Sequence, residues 1–421
     1  MEMKKCKLGD IAKIYNGSTP STSDNSNYDG EIVWATPKDL ADQNSKYFSQ
    51  GARNITQMGF DSCSTQMIPA NNILMSSRAP IGLFAINTVA CCTNQGFKNI
   101  VLDKSISDVD YMYYYLKYHV KEIEALGSGT TFKEVSKTAF EKYEISIPSL
   151  SVQQKIAAVL SSLDDKIALN KKINAKLEAM AKRLYDYWLV QFDFPNSEGN
   201  PYKTSGGKMV WNEVLKREIP EGWKVKSIND ISVSYRGVGY TADDEKSAED
   251  NDVVLILRGN NISNNHIIYD GNTVYLDKSF VSEEQKIHKY DFVMTMSSGS
   301  KEHVGKSAMF LFDSPHSYGA FCNKITPAKD CQFFLENYLH SEYFKKYIQI
   351  TCSGTGINNL TNEHFDKAFF PFPDNEVLES FNQKIKPIYE QIGVLEKENL
   401  RLTVLRDRLL PLLMNGQVIV N

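Results

Sequence analysis

The sequence predicts a mixed α/β (α+β) protein built as an internal tandem duplication, each copy being one globular domain followed by one long helix. Residues 151–190, SVQQKIAAVLSSLDDKIALNKKINAKLEAMAKRLYDYWLV, place apolar side chains at Ile156, Leu160, Leu163, Ile167, Leu177, Leu184 and Trp188. Steps of four and three are the seam of a long helix that packs against another helix. The spacing returns near the C-terminus at Phe381, Ile385, Ile388, Ile392, Leu395, Leu402, Leu409 and Leu413, and one constant shift superposes the two series (156 on 381, 188 on 413). The preceding domains echo each other as well: DIAKIYNG at 10–17 lies on DISVSYRG at 230–237, so that Asp10, Ile11, Tyr15 and Gly17 fall on Asp230, Ile231, Tyr235 and Gly237.

Residues 1–150 read as short strands between turns, for example 32–35, 72–76 and 83–89, punctuated by Asn16-Gly17 and Asp29-Gly30. An amphipathic helix is expected over 108–125, a short helix near 135–141, and a strand EISIP ending at Pro148. Ser151 and Gln154 then form a capping box for the first long helix. At 1.5 Å per residue a helix of this length is about 55 to 60 Å long, the length of a spacer. Residues 191–222 are rich in Gly, Pro, Ser and Asn and lack periodicity, so they read as a linker. The second domain occupies 223–375 and the second long helix 376–421. IVWATPKDL at 32–40 parallels VLILRGNNI at 254–262, Pro80-Ile81-Gly82 parallels His303-Val304-Gly305, and SGT at 128–130 lies on SGT at 353–355. Matching is good at the edges of each domain and poor in its middle, the pattern of one scaffold carrying two different surfaces. On the seam Asn174 falls on Asn399. A buried Asn at such a position fixes the register of a helix pair, and the alternative is that both simply face water.

A chain of 421 residues holds two or three domains, and a net charge of -4 leaves no basic footprint over the whole molecule. Any nucleic-acid contact therefore rests on local patches. The N-terminus lacks an apolar signal core and no apolar run nears the roughly 20 residues that span a bilayer, so a cytoplasmic protein without membrane contact is expected. Seven cysteines without a CxxC pair, and dispersed histidines, predict reduced thiols and no metal site.

No catalytic constellation emerges. GSKEHVGKS at 299–307 looks like a phosphate loop, but its spacing is one residue too long and a strand, not a helix, follows it. Asn200-Pro201-Tyr202 lacks the second proline of a methyltransferase tetrapeptide, and no glycine-rich turn for a methyl donor is present. The acid pairs Asp164-Asp165 and Asp243-Asp244 read as solvated surface. What remains are polar loops whose side chains suit base edges and phosphates. In the first copy these are Ser76-Ser77-Arg78, Asn94-Gln95, Ser128 and Thr130. Their expected counterparts are Ser297-Ser298 through Lys301 and Asn323-Lys324, with Arg258, Asn260 and Asn261 nearby. Arg reads guanine, Asn and Gln read adenine, and Ser, Thr and Lys hold phosphates, although any one of these residues could equally be a plain surface turn.

Ile219-Pro220-Glu221-Gly222-Trp223, the FDFPNSEGNPYKTSGGKMVWNE before it, IPSLSVQQKI at 147–156 and the doubled domain-plus-helix plan together resemble the specificity (S) subunit of a Type I restriction-modification system. PFPDNEVLESFNQKI at 371–385 departs from the usual entry to the second helix. The resemblance implies two target-recognition domains, each reading half of a split double-stranded DNA site, held apart by paired antiparallel helices. In an antiparallel pair Asn174 and Asn399 can meet, and half-sites about one turn, roughly 34 to 36 Å, apart follow from presenting one groove to one rigid body. It further implies one such chain per complex, with no cofactor or active centre of its own. Two methyltransferase subunits would dock on the helices and flip the target base into their own pockets. S-adenosylmethionine and ATP would belong to those partners and, where the system also cuts, to restriction and translocase subunits. The other reading is a two-headed scaffold for protein or carbohydrate partners, which the mildly acidic charge favours.

Overall fold

The computed structural model describes residues 2–43, 45–129, 133–269, 273–352, 358–418 and 420. They form two compact units, one of residues 1–169 with 398–421 and the other of 170–397.

In the first unit the strands that frame the sheet and its edge are β1 (Lys4–Lys7), β2 (Ala12–Asn16), β3 (Trp34–Ala35), β4 (Tyr47–Phe48), β5 (Ile73–Ser77), β6 (Ile81–Asn87), β7 (Cys92–Thr93), β8 (Phe97–Leu102) and β9 (Glu144–Ile147), with a further short strand at Tyr28–Ile32. A sheet runs in the order β2-β8-β5-β6-β4, β1 pairs with β9, and β3 pairs in parallel with β7. Helices α1 (Val109–Tyr118) and α2 (Val120–Ala125) cover the sheet, and α3 (Leu150–Tyr185) is the first long helix. The single helix expected over 108–125 is broken because His119 leaves helical geometry. Its ring packs 4.4 Å from that of Tyr115 and its Nδ1 lies 2.9 Å from Glu122 Oε1.

The second unit repeats the plan. A hairpin of β10 (Met209–Asn212) and β11 (Arg217–Pro220) precedes β12 (Lys224–Lys226), β13 (Ser232–Arg236), β14 (Val253–Leu257), β15 (Ile262–Ser263), β16 (His266–Ile267) and β17 (Phe292–Thr295). There follow β18 (Ser307–Met309), β19 (Ser317–Tyr318), β20 (Cys322–Pro327), α4 (Gln332–Leu339), α5 (Glu342–Thr351), β21 (Phe370–Phe372) and α6 (Asn375–Met414). The sheet order β13-β20-β17-β18, the β12-β21 pair and the parallel β14-β19 pair reproduce β2-β8-β5-β6, β1-β9 and β3-β7 of the first unit, while among the described residues β4 has no counterpart in the second sheet and Val274–Asp277 adds a strand to β14. The echoed residues do the same work twice. Asp10 accepts from the Lys7 amide at 2.8 Å and Asp230 from the Ser227 amide at 2.7 Å. A Cβ at Gly17 would meet the Asn94 carbonyl oxygen at 1.9 Å, and one at Gly237 the Gly319 carbonyl oxygen at 2.2 Å. Only glycine permits so close a crossing.

The long helix α3 starts at Leu150, so Ser151 lies inside its first turn and does not cap it. Instead the Ser149 carbonyl accepts from the amides of Val152 and Gln153. The buried Gln153 clasps the domain: its Oε1 accepts from the Asp108 amide, and its Nε2 donates to the carbonyls of Ile106 and Pro148. Residues 191–222 are folded, not a free tether. Phe192 is fully buried, and Phe194 stacks on Tyr202 at 4.6 Å and on Trp223 at 5.4 Å, so the aromatic residues of FDF and of IPEGW close on each other. Burying such rings offsets the ordering of a glycine-rich chain.

Within each unit the portions of the two long helices run antiparallel. In the first, Asp164 binds Arg406 at 2.8 Å and Lys166 approaches Glu398 at 3.7 Å, while Leu160 shares a core with Leu413. Asp164 is therefore a partly buried pairing group, joined also by the Tyr114 hydroxyl at 2.6 Å, and not the solvated surface acid its sequence context suggests. In the second unit Tyr185 and Trp188 pack on Phe381, and His266 of β16 stands between the helices, Nε2 3.3 Å from Glu178 and Nδ1 3.2 Å from Glu396. Asn174 is buried in the second unit and Asn399 half-buried in the first.

The hydrogen bonds from His266 to Glu178 and then to Glu396 push the imidazole up to about 10. A group raised in the folded state contributes stability in full below its unfolded value near 6.5, and loses it as pH climbs through the folded value. The stability difference between wild type and H266Q, measured by urea unfolding, should accordingly be largest at pH 6 and close toward pH 10. High salt should reduce it, because the pair is partly exposed. A difference that stays flat over that range would show that the histidine is not an ionic clamp.

Candidate functional site

The crossings at Gly17 and Gly237 bring four loops of each unit to one edge of its sheet. In the second unit these loops line a cleft of about 390 Å³ between Tyr240, Arg258, Asn260, Ser298, His303 and Phe321. Gly259, Thr295 and Gly319 line it as well. Arg258 and Asn260 project from a turn held by Asn261, whose Oδ1 accepts from the Arg258 amide at 2.9 Å and whose Nδ2 donates to the Ile268 carbonyl at 3.0 Å. Asn261 is fully buried and so holds the turn, leaving Arg258 and Asn260 to face the cleft.

The first unit has the same turn with other side chains. Asp39 Oδ2 accepts from the Thr36 amide at 2.7 Å, which puts Thr36 at the place of Arg258, Lys38 at that of Asn260 and Asp39 at that of Asn261. Lys38 is exposed, as Asn260 is. The strand register also changes one expected correspondence. Met75 faces Lys98 in β5-β8, and Met294 faces Asn323 in β17-β20. Asn323-Lys324 therefore answers to Lys98-Asn99, and Asn94-Gln95 answers to the turn Gly319-Ala320.

The residues singled out from sequence divide accordingly. The cleft gathers Arg258, Asn260 and Ser298, and Lys301 is exposed in the loop between Ser298 and His303. Asn323 is half-buried and donates to Ser234 Oγ at 2.8 Å. Lys324 is buried, its Nζ donating to the Lys286 carbonyl at 2.8 Å and lying 3.6 Å from Asp291 and 5.0 Å from the Tyr235 ring. In the first unit Ser77 is fully buried, its amide donating to the Gly96 carbonyl and its hydroxyl accepting from Lys98 at 3.3 Å. Arg78 is partly exposed, 3.8 Å from Glu134, which also takes Lys98 at 2.9 Å. Asn94 accepts from the Gly96 amide, Gln95 is exposed and bonded to the Thr19 hydroxyl, and Ser128 is exposed beside Glu134. Thr130 and the segment 353–357 lie outside the described residues.

Tyr240, His303 and Phe321, and in the first unit Thr19 and Lys38, are the side chains that sequence reasoning passed over. The parallel of 32–40 with 254–262 already held the signal for Lys38, since it sets Lys38 on Asn260. Among the described residues no group of three His, Cys, Asp or Glu side chains could hold a metal ion, and no helix is long and apolar enough to cross a membrane.

Residues 1–179 and 220–402 match the family described as the Type I restriction modification DNA specificity domain. The chain is 30% identical over 416 residues to the Type I restriction enzyme MjaIX specificity subunit of Methanocaldococcus jannaschii, covering 98% of this chain and 92% of that protein. It is 31% identical over 176 residues to the EcoKI specificity subunit of Escherichia coli, covering 42% of this chain and 38% of that one. The fold is similar to the crystal structure of the S subunit of the Type I restriction-modification system from M. genitalium, with a TM-score of 0.56 and 16% identity over 98% of this chain and 96% of that one.

Lys324 and Asp291 are both buried, and Asp291 also accepts from the His288 amide and the Thr326 hydroxyl. Removing the cation leaves a buried carboxylate unpaired, so K324M should lower unfolding free energy by about 3 to 5 kcal/mol in denaturant titration. A change under about 0.5 kcal/mol, the size usual for an open surface side chain, would return Lys324 to the list of surface cations.

Proposed function

We propose, for a chain that belongs to the family of Type I restriction-modification DNA specificity subunits, that each unit reads one half of a split, asymmetric DNA site in the major groove. The observation that carries this is the pairing of an equivalent frame with unlike side chains. Thr36 and Lys38 stand where Arg258 and Asn260 stand, on turns locked by the same bond from Asp39 and Asn261. Two such edges present different donors and acceptors, and two different half-sites follow. Arg258 suits guanine, Asn260 and Gln95 suit adenine, and Lys38, Arg78, Lys301, Ser128 and Ser298 suit phosphates or base edges.

The chain is a non-catalytic subunit. Its two long helices set the unread gap between the half-sites and dock two methyltransferase subunits, which carry the methyl donor and flip the target adenine. ATP belongs to restriction subunits where they are present. This work is cytoplasmic, one such chain serving each complex.

The assembled complex, titrated with duplex DNA carrying the site its methylation pattern defines, should lose roughly 1,000-fold or more in affinity between 50 and 200 mM salt through counterion release. R258A should weaken binding by about 10- to 100-fold and relax base choice at one position of the second half-site only. A complex with no DNA affinity to lose would favour the two-headed scaffold for protein or carbohydrate partners.

Four residues inserted into each long helix add about 6 Å of helix. The methylated site should then show a gap longer by one or two base pairs with both half-sites intact, and an unchanged gap would remove the helices from setting it.

A further inference from the structure

The cleft of the second unit carries one exposed side chain that hydrogen-bonded readout leaves without a task. Phe321 is 68% exposed at the wall of the cleft that Arg258 and Asn260 share. Its backbone is not loose. The Phe321 carbonyl accepts from the Met296 amide at 2.8 Å and the Ser297 amide at 3.3 Å, and the Cys322 amide donates to the Gly319 carbonyl at 2.8 Å. The turn thus presents Gly319, Ala320 and Phe321, three successive residues without a polar side chain, all lining the cleft.

The equivalent turn of the first unit carries no such ring. There the Ser77 amide donates to the Gly96 carbonyl at 2.7 Å, the same bond that Met296 makes to Phe321, so Gly96 is the counterpart and polar Gln95 stands before it. One edge ends in an amide and the other in an aromatic ring on an otherwise equal turn.

What sets this ring apart from other exposed apolar side chains is its place on the wall of a cleft lined by Arg258 and Asn260, where it can take an apolar group of a bound ligand out of water. On the major-groove edges of the base pairs the one apolar group is the C5 methyl of thymine. We propose that Phe321 is a specificity-determining residue that reads a thymine in the second half-site through that methyl group, beside the base contacted by Arg258. This rests on the DNA reading above and adds to it the identity of one base. The hydroxyls and amides of the cleft fix the register, and the ring removes the methyl from water.

The test uses the full chain assembled with its methyltransferase subunits, and duplexes of its methylated site in which each thymine is replaced in turn by deoxyuridine, which lacks only the methyl. At one position of the second half-site the replacement should weaken binding about fourfold, the worth of one buried methyl-sized group. F321A should weaken the unmodified duplex at least as much and abolish the deoxyuridine effect there, while F321L retains part of it. Binding through the first half-site should show no such coupling. A second half-site without thymine overturns the inference, as does a complex that binds DNA but is indifferent to deoxyuridine throughout. Loss on F321A without a deoxyuridine effect overturns it in favour of a ring wedged between base steps. A wild-type complex that binds no DNA at all instead overturns the DNA reading of the chain, and with it the role given to Phe321.

Discussion

Each unit depends on one crossing of backbone, where the chain leaving the first strand of the sheet passes against the turn that precedes the last. At Gly17 and Gly237 the space for a Cβ is already filled by a carbonyl oxygen, so the approach is available to glycine alone. Because the chains touch there, the loops after β2 and β13, the turns after β3 and β14, and the turns before β8 and β20 share one edge. The parallel β3-β7 and β14-β19 pairs lead directly into those turns and join them. A cleft with side chains from four separate loops is a consequence of this contact and not of any one loop.

On that frame the polar residues separate into those that hold and those that face outward. Asn261, Ser77 and Lys324 are buried and bonded at the positions where sequence made them candidates for contact. Asn261 holds the turn of Arg258 and Asn260, the Ser77 amide the turn that carries Gln95, and the Met296 and Ser297 amides that of Phe321, while side chains differ between the units both outward (Thr36 for Arg258, Lys38 for Asn260) and inward (Asp39 for Asn261, Met296 for Ser77, Asn99 for Lys324). What the units share is the backbone frame, so the repeat survives where that frame demands one residue type, as at Gly17 and Gly237 or Asp10 and Asp230, and fades where several side chains can serve. A net charge of -4 is compatible with a nucleic-acid partner, since the relevant cations are a few placed side chains and not a general excess.

Much of the fold is legible in the sequence because it rests on short-range pattern. The helix seam and the Asp10 and Asp230 bonds show as local spacing, and Gly17 and Gly237 show as a repeated turn signal although the carbonyls that require them belong to Asn94 and Gly319. The candidate site was legible only in part. Burial of Lys324 depends on Asp291 in an adjoining strand segment, and the match of Asn94-Gln95 to Gly319-Ala320 depends on strand register, neither of which spacing along the chain reveals. The strap over 191–222 misleads by composition. Its glycines and prolines suggest a tether, while Phe192, Phe194 and Tyr202 were the signal that it packs against Trp223. Phe321 went unmarked because attention to base recognition favours polar residues.

The central claim is that the turns 36–38 and 258–260 are equivalent reading positions on one repeated frame. Exchanging the second for the first with the double substitution R258T/N260K, in the full complex, and sequencing the methylated sites of a cell that carries it, tests this most directly. The account predicts a changed second half-site with the first half-site and the gap unaltered; a change in the first half-site, or an unchanged second one in a stably assembled complex, would contradict it.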